Sequence, residues 1–124
     1  GTGPRLCDVK LSGIDRENVR AYIRAQRTRT GGAFRVIDVG GAMSEWSKGY
    51  YRDAVIDAVY NPNESAHVVQ FVADINEVDG WEELLGYVHS NGKFDFAICT
   101  HMLEDVRNPV TTAKMLPLIS KSGF

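Results

Sequence analysis

The stretch FDFAICTHMLEDVRNPVTTAKMLPLISKSGF, residues 94–124, decides how this chain is read. Phe94, Phe96, Ala97, Ile98 and Cys99 form a short apolar run of strand length. The polar residues Thr100, His101, Glu104 and Asp105 follow within the next turn of chain. Asn108 then stands where it can cap the free N–H groups of a helix, and Pro109 takes the first helical position, where no N–H is needed. Pro117 should kink this helix, and Gly123 is a natural stop. A buried strand that hands a polar loop to a helix start is a β-α unit, and it sets the register of everything upstream.

Working back from it, three more apolar segments have strand character: 34–39, 54–59 and 67–73. The continuous apolar sequence of the first suits a sheet covered on both faces. A helix is expected from Asp15, with Ile14 and Val19 as a hydrophobic staple and Val19, Tyr22 and Ile23 as its buried stripe. Arg16, Arg20 and Arg24 recur on another face of that helix and read as a solvated face. A short helix is expected over 44–51, and Asn61-Pro62-Asn63 breaks the chain. Asp79 and Glu82 have the spacing of a capping box for a further helix, with Trp81, Leu84, Leu85 and Val88 on its buried side and Asn91-Gly92 at its end. Strands alternating with helices predict an α/β fold with a parallel sheet and right-handed crossovers. Ligands in such sheets bind beyond the carboxyl ends of the strands.

The 94–124 stretch resembles the fourth strand and following helix of small-molecule class I methyltransferases that use S-adenosylmethionine. Those read, loosely, D-x-V-x-x-x-x-V-L-E-H-V-x-x-P and end near K-P-G-G; the match runs without gaps from Asp95 to Gly123. Histidine is common in the family where Asp105 stands here. Upstream, Val36-Ile37-Asp38-Val39-Gly40-Gly41-Ala42-Met43-Ser44 is similar to the family's V-L-D-V-G-C-G-T-G, with Ala42 and Ser44 where glycine is usual. The resemblance covers 34–124 and implies a Rossmann-like parallel sheet of spatial order 3-2-1-4, with helices on both faces. It implies a single methyltransferase domain, taken as 1–124 and cut short where the family continues into a fifth strand; within it, residues 1–32 lie outside the resemblance and read as an N-terminal extension with a helix.

The resemblance also implies roles. Asp38 would orient the methionine part of the cofactor, and Gly40 and Gly41 would let the backbone approach it. A plain strand-to-helix turn is the other reading of those three residues. Asp57 would accept the ribose hydroxyls; equally, it reads as a strand-end carboxylate with no ligand. Asp74 would receive the adenine amino group and Ile75 would cover the adenine face, whereas the plain reading of Asp74 is a loop or capping acid. Thr100, His101 and Met102 would lie beside the reactive methyl group, with His101 as the candidate general base. The implied activity is methyl transfer from S-adenosylmethionine to a small or medium acceptor. The alternative is a non-catalytic binding or assembly domain, or an inactive fragment, on the same fold. A nicotinamide-dependent oxidoreductase is disfavoured, because G-x-G-x-x-G is absent.

Composition narrows the classes further. The 124 residues allow one domain, and 44% hydrophobic with 24% charged residues is the balance of an ordinary globule. A net charge of −2 gives no electrostatic case for nucleic acid or a membrane surface. With no apolar run of spanning length and no secretory signal, the expectation is a cytoplasmic protein. Cys7 and Cys99 are not expected to pair, and the three histidines show no metal spacing, so no metal is expected. Trp46, Tyr50, Tyr51, Tyr60 and Trp81 are aromatics that could stack on a ligand or pack in the core. A fourth strand without a fifth would leave 94–100 as an open edge, expected to pair with a second copy as a homodimer, to be covered by the N-terminal segment, or to aggregate.

Overall fold

The structure is a computed structural model that describes residues 13–44, 52–99 and 109–123. The expectations for Cys7, for the helix over 44–51 beyond Ser44, and for Thr100 through Asn108 lie outside those residues.

Four parallel strands form one sheet in the order β3-β2-β1-β4, as expected. They are β1 (Val36–Val39), β2 (Ala54–Asp57), β3 (Val69–Val72) and β4 (Phe96–Ile98). Each is shorter than its apolar run, because strand pairing stops where the turns begin. β1 is central, with Ile37 opposite Ala54 on one side and opposite Ala97 on the other. All four of its side chains are buried, including Asp38. A strand covered on both faces needs no polar alternation, which is why Val-Ile-Asp-Val can sit here.

The pleat sends alternate residues to opposite faces. Val36 of β1 and Phe96 and Ile98 of β4 pack with Phe34 and with Val19 and Ile23 of helix α1 (Gly13–Arg29). α1 therefore begins before Asp15, and its apolar stripe is the expected one. Tyr22 is half exposed and meets Phe34 edge-on at 6.0 Å and Phe96 at 5.2 Å. Arg27, in the last turn, anchors the helix by an ion pair to Asp53 at 3.1 Å. The same Asp53 oxygen accepts the Val36 N–H at 2.8 Å, so the helix end and the first residue of β1 share one carboxylate. On the outer side of α1, Arg20 and Arg24 pair with Glu17. The hydrogen bond from Arg24, reinforced by Arg20, holds the Glu17 carboxyl below its ordinary value. This small contribution is present at neutral pH and lost as the pH falls through the lowered value.

The other face carries Ile37, Val39, Ala54, Ile56, Phe71, Ala97 and Cys99. These pack with Leu84 of α2 (Glu82–Asn91) and with Met115, Leu116 and Ile119 of α3 (Pro109–Ile119). Cys99 is buried in this layer. Pro109 opens α3 as expected, and Pro117 sits within its last turn. The helix start at Asp79 needs correction. Residues Val78–Trp81 form a 3-10 turn instead, and α2 begins at Glu82 with no side-chain cap. The cause is Trp81, which is fully buried and donates its indole N–H to the Ile75 carbonyl at 3.0 Å. That tether winds the chain tightly before the helix can open.

The open edge expected of β4 is also different. The chain leaving α3 runs parallel to β4, with bridges between Phe94 and Ser120 and between Ala97 and Gly123. Phe94 N–H donates to the Ile119 carbonyl at 2.8 Å, and Ala97 N–H donates to that of Ser122 at 2.9 Å. The residues after α3 thus cover this edge; the expected cover by the N-terminal segment falls on residues 1–12, outside the described residues. A homodimer through this edge would have to displace them or form beyond Ala97.

Two measurements check this architecture. Ile37→Ala should cost about 2–5 kcal/mol by urea unfolding, as a fully buried side chain at the sheet centre. Val78→Ala, at an exposed position, should stay within about 0.5 kcal/mol. Equal effects of the two would contradict the placement of β1. The Ala97 amide should exchange slowly, and deleting residues 120–124, which removes the Ser122 carbonyl it donates to, should speed its exchange without affecting Ile37.

Candidate functional site

At the carboxyl ends of β1, β2 and β3 the chain leaves a cleft of about 460 Å³. Three segments line it: the turn after β1 with Gly40, Gly41, Met43 and Ser44; the end of β2 with Asp57, Ala58 and Val59; and the loop after β3 with Asp74, Ile75 and Asn76. Parallel strands make this convergence unavoidable, since all their carboxyl ends point the same way.

The first wall depends on two glycines. Gly40 has φ of 81°, a conformation that side chains with a Cβ rarely adopt, and its N–H still pairs with the Ile56 carbonyl at 2.8 Å. Gly41 is needed for space. A Cβ there would lie 2.7 Å from Asp38 Cγ, inside the contact limit. The carboxylate of Asp38 is tucked beneath the turn, fully buried, and paired with Arg52 Nη1 at 3.2 Å. Asp38 therefore lies behind the cleft and is not among the residues that line it.

Arg52 is itself fully buried. It also donates to the Gly41 carbonyl, to the Ala42 carbonyl at 2.9 Å, and to Glu64. A guanidinium removed from water is costly unless it meets acceptors and counter-charges, and the two terminal nitrogens of this one meet both. Asn61 adds a second bond to the Ala42 carbonyl at 2.9 Å, and the loop that carries Asn61 is held to β3 by a reciprocal pair with Gln70.

The second wall is Asp57, which ends β2. One of its oxygens accepts the Ala42 N–H at 3.0 Å and the other accepts the Ala58 N–H at 2.7 Å. A carboxylate has about four acceptor sites. These two bonds orient Asp57 and leave acceptor capacity on both oxygens, which suits a ligand carrying neighbouring hydroxyls.

The third wall is an Asx turn. Asp74 Oδ1 accepts the backbone N–H of Asn76 at 2.9 Å and its side-chain amide at 3.0 Å. Ile75 is buried and held by the Trp81 indole. Gly80 lies so close to the Asp74 backbone that a Cβ would come within 3.0 Å of the Asp74 carbonyl carbon. Trp81 and Gly80 thus brace a loop that presents one acid and one apolar side chain to the cleft.

Of the residues singled out from sequence, Gly40, Gly41, Asp57, Asp74 and Ile75 line one cleft. Thr100 and His101 lie outside the described residues. Among the aromatics, Trp81 is core, and Tyr60 is exposed away from the lining. Arg52, Asn61 and Glu64 were not singled out; their only sequence signals were an arginine beside an apolar run and a turn-forming Asn-Pro-Asn. Among the described residues, no cluster of three metal-ligating side chains occurs, and no helix is long and apolar enough to cross a membrane. No family model, curated protein or solved structure matches the chain.

The turn gives a direct test. Gly41→Ala forces a methyl group onto a buried, ion-paired carboxylate and should cost about 1–3 kcal/mol in urea unfolding. Gly86→Ala, on α2 with open space around it, should instead stabilise by about 0.5–1 kcal/mol.

Proposed function

We propose that the cleft binds S-adenosylmethionine and that the protein transfers its methyl group to a small or medium acceptor. The observation that carries this reading is the ordered gathering of glycine turn, Asp57, and Asp74 with Ile75 at the ends of β1, β2 and β3 around one cleft. The volume of about 460 Å³ lies within the usual range of small-ligand sites.

The charge on the walls favours a nucleoside without phosphates. Two carboxylates and no cationic side chain line the cleft among the described residues, so a pyrophosphate would meet like charge. Asp57 has the acceptor capacity for both ribose hydroxyls. Asp74 would accept from the adenine amino group, the Ile75 side chain would cover the ring, and Gly40 and Gly41 admit the cofactor close to the backbone. When bound, the sulfonium supplies an electrophilic methyl group, and the protein's task is alignment of the acceptor. His101 is the residue proposed to take a proton from an acceptor that must lose one.

One observation favours a second reading. Asp38 is sealed behind Gly41 rather than presented to the ligand. A domain that binds the nucleoside without catalysing transfer would tolerate that arrangement.

Titration calorimetry with S-adenosylmethionine and its demethylated product tests the site. Binding of both is expected, and Asp57→Asn should weaken it by about 1.5–3 kcal/mol, the range for hydrogen bonds to a charged group. No binding of either compound to the unaltered protein would count against the proposal. Binding without transfer of a labelled methyl group to any acceptor in a small-molecule panel would favour the non-catalytic reading.

A further inference from the structure

Arg52 does not line the cleft, yet two of its contacts fall on the backbone of the turn that does. Its guanidinium holds the Gly41 carbonyl with one nitrogen and the Ala42 carbonyl with the other, while Asp38 and Glu64 neutralise it. In a trans peptide the carbonyl oxygen and the following N–H share a plane and point opposite ways. Holding the Gly41 oxygen toward Arg52 therefore turns the Ala42 N–H away from it. That N–H is the donor to Asp57 Oδ2 at 3.0 Å. A rotation of the 41–42 peptide would break both bonds together. Asn61 steadies the next peptide through its own bond to the Ala42 carbonyl.

We infer that Arg52 is a positioning residue for the cleft: through the plane of the 41–42 peptide it fixes the carboxylate of Asp57, the group that would take the ribose hydroxyls. The inference rests on the reading of the cleft as a nucleoside site. Asp38 serves this arrangement as a counter-charge and acts on a ligand only through Arg52 and the turn. A lysine at position 52 keeps the charge but replaces a planar fork with a single ammonium, which cannot hold two carbonyls and two carboxylates in fixed directions.

The experiment uses Arg52→Lys, Asp57→Asn and the double variant, with two readouts. The first is amide exchange without ligand. Arg52→Lys should speed exchange at Ala42 by about tenfold or more while Ile37 in β1 is unchanged, the signature of a local opening. Unchanged exchange at Ala42 would overturn the inference. The second is calorimetric affinity for S-adenosylmethionine. If Arg52 acts through Asp57, each single substitution weakens binding by about tenfold or more, and the double variant weakens it no more than the larger of the two single losses. Additive losses would overturn the positioning role and leave Arg52 a stabilising residue. If the unaltered protein does not bind the cofactor, the proposed function fails, and the exchange at Ala42 alone decides the inference. Should Arg52→Lys not fold, a variant with Arg52→Gln, Asp38→Asn and Glu64→Gln removes the fork together with both counter-charges and takes its place in both measurements, with the same expected results.

Discussion

A carboxylate in the middle of a central strand must be neutralised where it sits. Asp38 lies on β1, paired on both edges and buried on both faces, and the cation it needs is Arg52, 3.2 Å away. Once Arg52 is committed to Asp38, the remaining donors of its two terminal nitrogens must also be met inside the protein, and the carbonyls of Gly41 and Ala42 and the carboxylate of Glu64 accept from them. The turn after β1 therefore cannot choose its conformation independently of the buried pair. Apolar side chains of similar volume can often replace a buried ion cluster without loss of stability. What such side chains could not do is hold two peptide carbonyls in set directions, and that is where the cluster touches the cleft.

The three walls are made rigid by different means. The glycine turn is held from behind by a charge cluster. Asp57 is held from its sides by two backbone N–H groups. The loop after β3 closes on itself as an Asx turn and is tied down by the indole of Trp81. Each wall is thus set by residues that do not need a ligand to be in place. A site arranged in advance avoids the ordering cost that a loose one would incur on binding.

Much of this was legible in the sequence because parallel α/β topology does most of the assembly. Four apolar runs alternating with helices were enough to identify the strands, and the acids at the ends of two of them, Asp57 and Asp74, then had to converge with the glycine turn. The strand order came from a resemblance; no pattern in the residues carries it. Asp38 shows the limit. Its residue type and position suited a ligand contact, but the pleat places it on the face of Val36, beneath Gly41, where only a partner from elsewhere in the chain makes its burial tolerable. That partner was not legible, since an arginine next to an apolar run is ordinarily solvated. Asp79 and Glu82 fit a capping box, yet the long-range bond from Trp81 to the Ile75 carbonyl outweighed that local preference.

The cover on β4 illustrates the same rule at the other end of the sheet. Ser120, Lys121, Ser122 and Gly123 have little intrinsic tendency to form a strand. They reach β4 because α3 is docked by Met115, Leu116 and Ile119 in the core layer that also holds Ala97 and Cys99, so the chain leaves the helix already alongside the strand. Asp95 then fastens the two together. Its carboxylate accepts the Arg35 N–H at 2.8 Å and pairs with Lys121 at 3.4 Å, while its carbonyl accepts the Ser122 hydroxyl at 2.6 Å. The single charge in FDFAICT, which as a sequence feature interrupts an apolar strand, is the residue that joins the entry of β1 to the segment covering β4. Delivery by the preceding helix and one well-placed acid together accomplish what strand propensity alone would not.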